Sequence, residues 1–180
     1  MTEIEDFIGL SIREFSRLKK LADDAVAQIS ETQFFQTLGE CDNSVALMYK
    51  HMAGNMLSRW KDFLTTDGEK EWRNRDSEFQ ILDTDRYEDL IARWEESWRV
   101  LFSELEDLEP KDLSRTVTIR GEGLTVLQAM ARQLTHYAYH VGQIVFVSKS
   151  LAGGKWKSLS IPLGQSKAFN EAPSNYVEGQ

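Results

Sequence analysis

The chain has 180 residues, 21 Lys and Arg against 29 Asp and Glu, and a formal net charge of −8. That length suits one domain with a sizeable core, and a single cysteine excludes both a disulfide framework and a cysteine-based zinc finger. The acidic balance speaks against nucleic acid or anionic lipid as partners, and no apolar run approaches the roughly 20 residues of a membrane span.

The start, Met1 to Asp6, is acidic, the opposite of a basic signal leader, so a soluble cytoplasmic protein is expected. A first helical stripe follows over about 3–29, through Ile4, Phe7, Ile8, Phe15, Leu18, Ala22, Ala25, Val26 and Ile29. A second spans about 44–65, with Val45, Met48, Met52, Met56, Trp60 and Phe63 on one face and Asp42 or Asn43 as N-cap. A polar crossover over about 66–82 contains Glu71-Trp72-Arg73-Asn74-Arg75-Asp76. The third helix runs from Tyr87 through Trp94, Trp98 and Leu101 to Leu108, capped by Asp83 or Thr84 and stopped near Pro110. Thr116 to Arg120 alternates like a short strand or extended loop. The fourth helix covers about 125–149, opened by the capping-box pair Thr125 and Gln128 and closed before Gly153-Gly154.

Four amphipathic helices of this length predict an all-α four-helix bundle with a long crossover between the second and third. One domain over 1–180 is expected: a bundle over about 3–150, a packed tail over about 151–172 and a loose end over 173–180. Trp156, Leu159, Ile161, Leu163 and Phe169 are the tail's expected packing residues.

The chain has three histidines, His51, His136 and His140. His136 and His140 are four apart on the fourth helix, on one face and roughly 6 Å apart along the axis. That spacing suits chelation of one metal ion, and His51, mid-way along the second helix, would complete a three-nitrogen site if the two helices are neighbours. The other reading is three ordinary hydrogen-bonded histidines. Leu47, Gly54, Asn55 and Ser58 share the face of His51 and leave room for a cavity, while Gln133 and Gln143 offer polar groups beside the pair.

A histidine in the second helix followed by His136-Tyr137-Ala138-Tyr139-His140-Val141-Gly142-Gln143-Ile144 resembles the DinB/YfiT-like superfamily over about residues 5–150. Tyr139 and Val141 stand where that family often has a histidine and an arginine. The crossover and the segment Trp156 to Pro162 look like those of an uncharacterised bacterial branch. The resemblance implies a four-helix bundle, a metal held by His51, His136 and His140, and a homodimer. It also implies a metal-dependent enzyme that activates a low-molecular-weight thiol or water, of thiol S-transferase or hydrolase type.

Zinc or nickel is the expected ion, because nitrogen ligands suit both. The alternative is a non-catalytic dimeric metal-binding bundle with a structural, regulatory or stress-response role. No general base is assigned from sequence. Asn55 is a candidate ligand contact or an interhelical hydrogen-bond partner. Arg73 and Arg75 either receive an anionic substrate group or pair with Asp76 and Glu78. Trp72 and Trp156 are candidates for closing a pocket or a dimer contact. Cys41, about ten residues before His51, is expected to be structural rather than a ligand.

Overall fold

The computed structural model describes residues 3–40 and 43–171, the side chains from Phe7 onward. The protein is mostly helical, with 65% of its residues in helix and one small two-stranded sheet. No helix among the described residues is long and apolar enough to cross a membrane.

Helix α1 (Glu3–Val26) buries Ile8, Phe15, Leu18, Ala22, Ala25 and Val26, a set in which Ala25 and Val26 follow Ala22 by three and four residues along one stripe. It ends at Val26 rather than Ile29, and Ile29 closes a turn by donating to the Val26 carbonyl. A short helix α2 (Glu31–Phe35) follows, opened by a reciprocal Ser30–Gln33 capping box. It drives Phe34 edge-on against Tyr49 and Tyr87. Helix α3 (Val45–Trp60) is capped by Ser44, whose hydroxyl accepts from Leu47 N. Asn43 is therefore not the cap, and Asp42 lies outside the described residues, as do Cys41 and the Ile4 side chain. Helix α3 also stops at Trp60 instead of running to 65, because Asp62 takes a positive φ of 54°.

Helix α4 (Tyr87–Glu106) buries Leu90, Trp94, Trp98, Leu101 and Leu105. Its N-terminus has no side-chain cap: Arg86 occupies the position, so neither Asp83 nor Thr84 does. Strands β1 (Thr116–Ile119) and β2 (Glu122–Thr125) form an antiparallel hairpin with Ile119 opposite Glu122. Arg120 and Gly121, at φ 57° and 75°, make its two-residue turn, the backbone that right-handed strand twist favours. Helix α5 (Val126–Ala152) begins with the Thr125–Gln128 capping box and ends at Gly153, whose φ is 56°.

Helix α3 packs along α4 and meets α5, while α1 packs along α5. Between them lies one apolar cluster built on Phe15, Trp60, Trp94, Trp98 and Tyr137. Phe15 meets Trp60 edge-on, with centroids 5.8 Å apart. Each such side chain contributes about 1.5–3 kcal/mol by leaving water. In the tail, Trp156 and Leu159 pack on this core, whereas Leu163 is fully exposed, contrary to expectation. A last short helix α6 (Ser166–Glu171) ends the described chain. The loose end expected over 173–180 lies outside the described residues.

The crossover over 61–86 is fastened along α3 rather than looped free. Ser58 Oγ donates to the Gly68 carbonyl and accepts from Lys70 N, and the buried Arg59 bonds Gly68 O and Glu69. Asp67 accepts from the backbone N–H groups of Arg120 and Gly121, tying the hairpin turn to the same segment. At its far end Lys50 donates to Gln80 O and to Asp85.

Candidate metal centre

The contact between α3 and α5 brings His51 against His136 and His140, with ring centroids 5.5 and 4.9 Å from the latter two. One nitrogen from each histidine lies within 4.8 Å of the others, a group able to hold a metal ion. His51 and His140 are buried and His136 is half-buried.

Two of the three rings are oriented by outside partners. His51 Nδ1 stands 2.9 Å from the Glu78 carboxylate, which can only accept, so Nδ1 carries a proton and Nε2 is the nitrogen left for a metal. His140 Nδ1 stands 2.9 Å from Gln143 Oε1, which sets the same tautomer. His140 Nε2 and His136 Nε2 then face each other at 3.1 Å.

The electrostatics keep His136 and His140 neutral. Burial, followed by the neighbouring imidazoles of His140 and His51, pushes the His136 pKa down to about 3. Burial and then His51 push His140 down to about 4. Neutral imidazoles are the form that coordinates a metal.

Glu78 pairs with Arg73, one of the alternatives expected from the sequence, but its contact with His51 is what sequence reading missed. Its carboxylate bonds His51 and also receives a two-pronged contact from Arg73, Nε to Oε1 at 2.8 Å and an η-nitrogen to Oε2 at 2.9 Å. Burial raises the Glu78 carboxyl, but the hydrogen bonds from His51 and Arg73 outweigh it and hold the group below the usual carboxylate range. Gly54, one turn past His51, makes this approach possible: a Cβ there would lie 2.2 Å from Glu78 Oε1. The space left by Gly54 is thus filled by a carboxylate rather than left as cavity. The absence of a side chain at 54 is the one sequence signal for a close approach of Glu78 to α3.

Asn55 makes the interhelical hydrogen bond that was one of its two expected roles. Its Oδ1 accepts from the buried Tyr137 hydroxyl, which in turn accepts from Trp60 Nε1, and Asn55 also lines the cavity beside the histidines. That cavity is about 580 Å³. Besides the three histidines its walls include Phe79, Gln133, Tyr139, Gln143 and five arginines. Gln133 is buried, and its Oε1 has no hydrogen-bond partner among the described residues. Arg73 is paired with Glu78, whereas Arg75 reaches the cavity. Trp72 and Trp156 do not line it, and Trp72 is exposed.

A family model described as a protein of unknown function, DUF1572, matches residues 3–165. No curated protein and no solved structure matches the chain.

Proposed function

The chain belongs to the DUF1572 family, and from that premise we propose that it is a metal-dependent enzyme with the four-helix bundle of the DinB/YfiT-like superfamily. His51, His136 and His140 are its ligands, and the ion is zinc or nickel. The observation that carries this reading is a trio of converging imidazole nitrogens on the wall of a 580 Å³ cavity, two of the rings oriented by outside partners. The donor set fits such an ion, since imidazole suits both metals. Glu78 and Gln143 hold the protons of their histidines on the outer nitrogens.

A divalent ion there supplies positive charge that favours the ionised form of a small thiol or of water. The chain's own part is to keep the His136 and His140 imidazoles unprotonated, to orient His51 through Glu78, and to shape a polar cavity beside them. A purely structural zinc site normally uses four protein ligands, and among the described residues three are grouped here. This favours the catalytic reading over a non-catalytic metal-binding bundle.

The substrate class is a small molecule met by a low-molecular-weight thiol or by water, in transferase or hydrolase chemistry. We place the protein in the cytoplasm as a homodimer, and the exposed Tyr139 and Phe146 on α5 are the kind of apolar surface a second copy covers. The test is a screen of electrophiles with several cellular thiols and with water, on protein loaded with zinc or nickel. Turnover that needs the ion and disappears in His136→Ala supports the proposal. Absence of turnover with every divalent ion contradicts it.

A further inference from the structure

The charge of the cavity is opposite to that of the protein. The chain carries a net −8, yet five arginines line the cavity and no carboxylate does. Two of those arginines are neutralised from behind: Arg59 by Glu69 and Arg73 by Glu78. Arg120, at the hairpin turn, shares Glu69.

Arg75 and Arg132 have no carboxylate partner among the described residues. Arg75 lies over the Phe79 ring, 4.9 Å from its centroid, and the same ring is 4.7 Å from that of His51. The guanidinium is thereby held next to the histidine trio by a flat apolar surface, which leaves its N–H fork free to bind. Arg132 is on α5 one turn before His136, so Arg132, His136 and His140 follow one another at four-residue intervals along one face. The two guanidinium groups therefore reach the cavity from different elements, one from the crossover and one from α5.

A guanidinium cannot shed its charge, and its planar fork matches the paired oxygens of carboxylate or phosphate. Uncompensated arginines around a concave site raise the local concentration of anions. The acidic remainder of the protein repels those anions from other surfaces.

We infer that Arg75 and Arg132 form an anion-binding subsite of this cavity, and that the molecule acted on carries a carboxylate or phosphate group seated between them. This deepens the enzyme reading and rests on it for the role of the ligand as substrate. Anion binding itself is measurable without metal.

The experiment is calorimetric titration of metal-free protein with inorganic phosphate and, separately, with malonate. The wild type is expected to bind at least one of them, more weakly as salt rises. The R75Q/R132Q protein, with unchanged helical circular dichroism, should bind it roughly tenfold more weakly or worse, as loss of charged hydrogen bonds predicts. Preference for phosphate or for malonate identifies the anionic group. Equal affinity in wild type and R75Q/R132Q, or no binding of either anion by the wild type, overturns the inference. Failure to bind a metal ion, with anion binding intact, would overturn the enzyme reading instead.

Discussion

Glu78 and His51 are 27 residues apart in sequence, and in the folded protein the carboxylate of one accepts the Nδ1 proton of the other at 2.9 Å. The same carboxylate is gripped by Arg73, whose side chain is 1% exposed. A crossover fastened to α3 and to the hairpin turn therefore also orients an imidazole. Such partners raise the basicity of the ligand nitrogen and fix its direction.

Glu78→Gln keeps the shape of this contact but removes its charge. The variant should fold and should bind zinc about 10–100-fold more weakly than the wild type. Competition with a chromophoric chelator measures the difference, and unchanged affinity would separate Glu78 from the centre.

Gly54→Ala tests the same contact from the other side. Alanine in a helix interior is favoured over glycine by about 1 kcal/mol. Here the new Cβ would lie 2.2 Å from Glu78 Oε1 and 2.8 Å from its Cδ, and Glu78 is held by two partners. Overpacking of this kind costs about 1–3 kcal/mol, so the variant should be less stable in urea despite its better helix propensity. Greater stability than the wild type would show that Glu78 moves aside freely.

Much of this arrangement was legible in the sequence, and the part that was not has physical reasons. The stripe Leu90, Trp94, Trp98, Leu101, Leu105 marks α4 because its period persists for about four turns. The Thr125–Gln128 pair marks the start of α5 because both halves of a capping box are local. His136 and His140 share a face by helix geometry alone. The end of α3 was misplaced because Phe63 is buried without being helical; apolar character signals burial, not backbone conformation. Asn43 and Ser44 are both good caps, and local rules do not choose between neighbours. Helix α2 has five residues, too few to display a period. Glu78 was invisible as a partner of His51 because their contact passes through an irregular segment with no repeat to read.

The histidine pair also sets an acid limit on stability. In the unfolded chain an imidazole titrates near 6.5, whereas the folded values are about 3 for His136 and about 4 for His140. Between those limits the unfolded chain binds more protons than the folded one. The stability is therefore fully present above pH 6.5 and is lost as pH falls toward the folded values. The Tm of metal-free protein should drop over that window, and H136A/H140A should show a shallower slope. Identical slopes would place the acid sensitivity elsewhere.

Elemental analysis of gently purified wild type and His136→Ala, with circular dichroism on both, bears most directly on the metal centre. One divalent transition-metal ion per chain in the wild type and none in the variant, at equal helical content, is the expected result. A wild type without stoichiometric metal after incubation with zinc or nickel, or a variant that retains the full complement, would contradict it.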